Sequence, residues 1–278
     1  MSYKNDSLGD RMKGYENISR AYLTRRVPVI IRLDGKAFHT FTRGLEKPFD
    51  RTLMKIMRLT MQYLCANVQG CVFGYTQSDE ITLVLTDYAT IKTDAWFGYN
   101  VQKMASVSAS MATVEFNRLL RNELGDELED AIRAWNPERM LLEDRLLKLY
   151  DKQFKACFDA RCFSVPVDDV CNCLIWRQQD ATRNSIEAVG QANFSHKQLM
   201  GKSCNEIQDM LFKEKGINWN DFPTDCKRGS ACYRVLSEEE IDDPRNPGNR
   251  ITVQRRRFVI DTDIPIFSQD RQFIERFL

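Results

Sequence analysis

An α+β fold, a ferredoxin-like antiparallel sheet backed by helices, is the class that this sequence predicts. Three observations point to it. Short β-branched or alternating runs at 27–33, 70–75, 80–86 and 161–166 read as strands. Apolar residues three and four apart mark a helix over 48–64, and a second long helix reads over 93–121. The resulting order, strand–helix–strand–strand–helix–strand, is the split βαβ arrangement.

Val27-Pro28-Val29-Ile30-Ile31-Arg32-Leu33 is the first strand, stopped by Asp34-Gly35. Pro48-Phe49-Asp50 opens a helix whose apolar stripe is Leu53, Ile56, Met57, Met61 and Leu64. Residues 70–75 and 80–86 form a hairpin across Thr76-Gln77-Ser78. A long helix is expected from about Thr93 to Arg121, then a charged helical segment from Glu123 to about Lys155. Arg161-Cys162-Phe163-Ser164-Val165-Pro166 is the fourth strand, which ends a first domain at 1–166. Beyond it, Val170 to Phe212 reads as largely helical and 213–278 as loop-rich, a C-terminal part (167–278) packed on the first. The stretch 237–250, SEEEIDDPRNPGNR, reads as an exposed acidic loop. Arg255-Arg256-Arg257 reads as a solvated strand face or as an RNA contact.

Composition narrows the class. The chain has 278 residues, of which 28% are charged, but the charges nearly cancel to +1, so bulk charge does not announce a nucleic-acid binder. No apolar run approaches the roughly 20 residues that a bilayer span needs, so no membrane partner is expected. The first 25 residues are polar and mixed in charge, unlike a secretory leader. Nine cysteines, mostly in apolar stretches, suit reduced core thiols of a cytoplasmic protein. Cys171-x-Cys173 has no second pair at zinc-finger spacing, and only His39 and His196 are there to supplement it.

Asp79 and Glu80 stand between a polar turn and the strand Ile81–Leu85, where acids are poor strand formers. Taken alone, Ser78-Asp79-Glu80 suits a solvated turn. Asp34 changes that reading, because it ends the first strand, which the split βαβ order places beside the third. Both carboxylates then converge on one sheet edge and repel unless a cation lies between them. Mg²⁺ prefers such oxygen ligands and keeps waters or substrate phosphates in its shell. Gly35, without a Cβ, is expected to let its backbone approach a metal or phosphate. A pair of metals can activate an attacking oxygen and stabilise a leaving phosphate together.

RLDGKAFHTF (32–41), EKPFD (46–50), YTQSDEITLVL (75–85), FDARCFSVP (158–166) and LIWRQQD (174–180) occur in that order. Together they resemble the tRNA-His guanylyltransferase family, whose members extend tRNA in the 3′-to-5′ direction, over roughly residues 5 to 235. The resemblance implies a polymerase-palm catalytic domain in which Asp34, the Gly35 carbonyl and Asp79 hold two Mg²⁺ ions. Glu80 matches an acidic position beside them, giving Asp34, Asp79 and Glu80 as the catalytic set. Lys36, Ala37, Phe38, His39, Lys47, Asp50 and Ser78 match positions near the triphosphate of a bound nucleotide. Arg32, Lys103, Arg161, Arg177 and Asn184 are the expected RNA contacts. Four of them have a plainer alternative: Lys47 as a solvated loop lysine, His39 packed by Phe38 and Phe41, Arg161 and Arg177 as structural ion-pair partners. Tyr99 and Asn100 stand where the family often has arginine.

A histidine-asparagine segment follows the Trp-Arg-Gln motif in eukaryotic enzymes that add the extra G to tRNA-His. Here the chain reads ATRNSIEAV (181–189), with Asn184 but no histidine. The departure points to the guanylyltransferase-like branch, which adds whichever nucleotide a template calls for and repairs tRNAs lacking 5′ nucleotides. Implied substrates are GTP or another NTP, ATP for activation, and tRNA, with a homotetramer as the assembly. A G-adding tRNA-His enzyme, a palm-type nucleotide cyclase and a catalytically silent RNA binder are the alternatives.

Overall fold

The structure is a computed structural model, and it describes residues 7–133, 148–242, 245–246 and 248–278. Six antiparallel strands make one sheet: β1 (Val29–Gly35), β2 (Cys71–Gln77), β3 (Glu80–Leu85), β4 (Phe158–Ser164), β5 (Ser230–Asp242) and β6 (Arg250–Asp261). They lie in the order β4-β1-β3-β2-β5-β6. The first four are the split βαβ sheet expected from the sequence, with β1 beside β3 at its centre.

Among the described residues, nine α-helices of four or more residues accompany the sheet: α1 (Ser7–Asn17), α2 (Phe38–Phe41), α3 (Arg51–Asn67), α4 (Val101–Arg133), α5 (Val167–Asn193), α6 (His196–Leu199), α7 (Cys204–Lys215), α8 (Thr224–Arg228) and α9 (Gln272–Glu275). Strand alternation sorts β1 onto two buried faces. Val29, Ile31 and Leu33 join Ile81, Leu83 and Leu85 against Ile56, Met57 and Met61 of α3 and Phe116 of α4. Ile30, Phe73, Tyr75 and Val84 face the other way, under Val170 and Leu174 of α5 and Phe267 and Ile274 near the C-terminus. Helix α5 thus covers the face on which Arg32 and Asp34 follow Ile30. Among the described residues no helix is long and apolar enough to cross a membrane.

Three expectations need correction. The long helix begins at Val101, not near Thr93, because Phe97, Gly98 and Tyr99 take left-handed φ values of 50°, 61° and 61° that a right-handed helix excludes. The expected charged segment is the continuation of α4 to Arg133, residues 151–154 form a turn, and 134–147 lie outside the described residues. The acidic stretch after 237 is not a loop up to Asp242 but the second half of β5. Glu239 answers Arg255 (3.4 Å) and Arg257 (2.5 Å) across the strand pair, and Arg250 answers Glu240 and Asp242. Those pairs make residues 255 and 257 a solvated strand face.

Candidate active site

Asp34 stands opposite Glu80 in the β1–β3 register, and the Gly35 N–H donates to the Asp79 carbonyl at 3.1 Å. The end of β1 and the turn before β3 therefore meet at one sheet edge. That turn is tight. Ser78 takes a φ of +49°, and its hydroxyl donates to Asp79 Oδ1 at 3.0 Å. Burial raises the Asp79 pKa above its usual value; the Ser78 hydroxyl and the residue's own amide oppose it, Asp34 adds to it, and His39 opposes.

The loop after Gly35 divides its side chains. Lys36, Ala37 and His39 are exposed, so His39 is not packed in the core. Phe38 is the correction in this group, since its ring is buried against Phe41, Phe116 and Phe158 with centroids 4.8, 5.5 and 5.3 Å away. Only its backbone remains for a nucleotide. The same ring explains Gly35: a Cβ there would meet Phe38 carbons at 2.3–2.6 Å. The glycine is required by packing, before any question of metal approach.

A cavity of about 240 Å³ opens beside the turn, lined by Lys47, Asp50, Gln77, Ser78, Asn184 and Ser185 among others. Three of the expected nucleotide residues thus share one concavity with Asn184, which is a cavity wall residue. Asp50 takes part differently from the expectation: its buried carboxylate caps α3, accepting from Leu53 N at 3.0 Å and from Glu46 N at 3.2 Å. Apolar walls come from Leu45, Phe49, Leu53 and Ala181. The volume lies below the roughly 300–1,000 Å³ of drug-sized pockets and suits a nucleobase more than a whole nucleotide.

Glu80 and Arg177 correct two further expectations. Glu80 is not a free catalytic acid, because Arg177 lies 2.8 Å and Arg32 3.8 Å from its Oε2. Arg177 is 5% exposed, also bonded to Asp180 at 2.9 Å, and stacked under Trp176 at 3.9 Å, which removes it from the RNA contacts. Arg32 is partly buried in the same group. Arg161 pairs with Arg32 in the β1–β4 register and remains exposed, 3.7 Å from Asp159. Lys103 lies elsewhere. Its helix start is tied to Ala21 and its neighbours to Leu23, at the end of the sheet where Arg25 binds Asp87 just past β3. That end is separated from Asp34 by the length of β1, about 17 Å at strand rise.

Trp176, Asp180 and Ser185 are residues that the sequence reading did not assign. The first two lie inside LIWRQQD, the segment already singled out; Ser185 carries no local signal. Asp225, which lines the cavity and binds Arg58 at 2.6 Å, is visible only after folding.

Among the described residues no group of three or more His, Cys, Asp and Glu side chains is arranged to hold a metal. The edge instead offers two half-buried carboxylates, Asp34 and Asp79, with the Gly35 backbone beside them. That all-oxygen, incomplete set fits Mg²⁺, which fills its shell with water and phosphate, and does not fit zinc.

Residues 9–166 match the family described as tRNAHis guanylyltransferase. The chain is 41% identical to a solved bacterial tRNA(His) guanylyltransferase-like protein in complex with ATP, covering 98% of each chain with a TM-score of 0.78. A bacterial protein of the same description in complex with GTP is 39% identical over 98% of this chain and 99% of that one, with a TM-score of 0.74. The tRNA(His) guanylyltransferase of Saccharomyces cerevisiae is 27% identical over 220 residues, 74% of this chain and 82% of its own.

Proposed function

From the chain's membership of the tRNAHis guanylyltransferase family, a family of nucleotidyltransferases, we propose that it is a template-dependent 3′-to-5′ nucleotidyltransferase that restores missing nucleotides at the 5′ end of truncated tRNA. The observation that carries this reading is the meeting of Asp34 and Asp79 at one sheet edge, beside a cavity of nucleobase size that Ser78 and Lys47 also line. The absence of a histidine in 181–189 supports a broad tRNA range over strict tRNA-His specificity.

Asp34, Asp79 and the Gly35 carbonyl are the groups that would hold Mg²⁺. Bound there, the metal supplies charge neutralisation for phosphate oxygens and a lowered pKa for a ribose hydroxyl. Everything else falls to the chain. The cavity takes the base of an incoming nucleotide and excludes water from it. Lys47 and the exposed Lys36 and His39 meet phosphate oxygens, lysine as a mobile point charge. Ser78 orients the Asp79 carboxylate through its hydrogen bond. The nucleotide 3′-hydroxyl then attacks the α-phosphorus of a triphosphorylated or adenylylated tRNA 5′ end, and pyrophosphate or AMP leaves. Base choice comes from pairing with the opposite strand, so the protein reads backbone and shape. The proposed setting is the cytoplasm, and the proposed assembly a homotetramer.

The test is a panel of tRNAs lacking one or more 5′ nucleotides, incubated with Mg²⁺, ATP and each labelled NTP. Template-matched addition across several tRNA species is the expected result. Addition of G confined to tRNA-His would replace this reading with the narrower one. A cyclic nucleotide product, or binding without turnover, would remove polymerase activity altogether.

A further inference from the structure

Glu80 follows Asp79 in the chain and faces Asp34 in the sheet. A third acid at this edge is an obvious ligand for a cation, yet both its oxygens are engaged by the protein. Arg177 and Arg32 approach Oε2, and the Thr82 hydroxyl donates to Oε1 at 3.4 Å. Both Glu80 and Arg177 are buried, at 6% and 5% exposure. Removing two charges from water offsets most of their attraction, so a buried pair of this kind is a poor source of stability. Its location suggests a different use. Glu80 is the first residue of β3, the point from which the Ser78–Asp79 turn is hung, and Ser78 holds a left-handed conformation that a serine keeps only when its surroundings enforce it. On the other side, the helix that carries Arg177 also carries Ala181, Asn184 and Ser185 to the cavity wall. One ion pair fastens the turn with its carboxylate to the helix that shapes the cavity.

We propose that Arg177, acting through Glu80, is a positioning residue that holds the Asp79 carboxylate beside Asp34 in the geometry a divalent cation requires. Trp176 over its guanidinium and Asp180 on its far side keep it there. Arg177 touches no substrate in this role. The inference rests on the metal reading given above.

The test uses the full chain and Mn²⁺ as probe, with free Mn²⁺ measured by electron paramagnetic resonance in the absence of nucleotide and tRNA. The variants are Arg177→Met, Arg177→Lys and the double substitution Glu80→Gln with Arg177→Met, each with its melting temperature. The double variant leaves neither member of the pair as a lone buried charge, and Asp180 keeps Arg183 as its partner, so this is the variant expected to fold where Arg177→Met does not. The expected result is Mn²⁺ binding weaker by about tenfold or more in the folded double variant, as for loss of an outer residue that orients a metal ligand. Arg177→Lys recovers part of that affinity, and kcat for nucleotide addition follows it. A folded double variant that binds Mn²⁺ as tightly as the wild type overturns the positioning role. Wild-type protein that binds no Mn²⁺ overturns the metal reading with it. Wild-type protein that binds Mn²⁺ but extends no tRNA overturns only the proposed reaction, and the comparison of variants still decides the role of Arg177.

Discussion

Burial raises the pKa of the Asp79 carboxyl, and the neighbouring Asp34 pushes the same way against the Ser78 hydroxyl, the residue's own amide and His39. A carboxyl whose folded-state pKa is raised costs stability as it ionises. Well below about pH 4 both folded and unfolded chains are protonated there and the residue is neutral to folding. As pH rises through the raised value, the unfolded chain has already lost its proton and the folded chain loses it reluctantly, so stability falls and the deficit is complete above it. Asp79→Asn removes that deficit. Without Mg²⁺ this variant is expected to melt above the wild type at neutral pH, by an increment of about 0.5–2 kcal/mol typical of relieving an active-site compromise. The gap closes as pH falls toward 4, and added Mg²⁺ stabilises only the wild type. Nucleotide addition by Asp79→Asn is expected to be abolished. Equal melting curves with and without Mg²⁺ for both proteins would show that Asp79 carries no such burden. At the same scale, burial pushes the Cys162 thiol up to about 12, whereas Cys157 is exposed. A thiolate-seeking reagent at pH 8 is therefore expected to label Cys157 first, read by peptide mass mapping.

Helix α3 shows how one residue can be legible in the sequence and still carry a second task. Its apolar spacing and its start after Pro48-Phe49-Asp50 were readable because both signals are local, and the observed helix begins at Arg51. Asp50 was expected at a nucleotide. It lines the cavity, but its oxygens accept from Leu53 and Glu46 amides, a helix cap and a loop tie. The two tasks separate by substitution. Asp50→Ala is expected to cost about 1 kcal/mol of stability through the lost cap, a fall of roughly 2–4 °C in a chain of this size. Asp50→Asn keeps an acceptor oxygen for the cap and is expected to restore most of the melting temperature and leave KM for the nucleotide near the wild-type value. A KM that rises as much in the Asn variant as in the Ala variant would return the carboxylate to substrate contact. Helix α5 was less legible in function than in form. Its helical pattern is local, whereas the destination of Arg177 depends on where the helix lands, 97 residues away from Glu80 in sequence. An isolated arginine in a motif does not disclose whether its partner is a phosphate or a buried carboxylate.

The whole molecule is built on one sheet, four strands from residues 29–164 and two from 230–261. The first four strands were readable because each is buried or half-buried on at least one face and shows it as β-branched or alternating residues. The remaining pair was not, since β5 from Ser237 onward and β6 up to Arg257 carry mostly polar and charged residues on both faces and lack the period-two contrast that marks a half-buried strand. What they do at their inner ends matters for the fold. Thr76 to Phe73 of β2 pair with Ser230 to Tyr233 of β5, so residues beyond 166 close an edge of the sheet that the first 166 leave open. The same C-terminal half covers Ile30, Phe73, Tyr75 and Val84 with α5 and with Phe267 and Ile274. Exposing four such side chains forfeits roughly 6–12 kcal/mol at about 1.5–3 kcal/mol each, an upper estimate that still matches the ~5–15 kcal/mol by which a domain is stable at all. A fragment ending at residue 166 is therefore expected not to fold on its own. It should bind a dye specific for exposed apolar surface, show no cooperative thermal transition, and regain one only when residues 167–278 are supplied. A fragment 1–166 that melts cooperatively without them would mean that the split βαβ half is an autonomous domain, with β5 and α5 as additions to a sheet already stable.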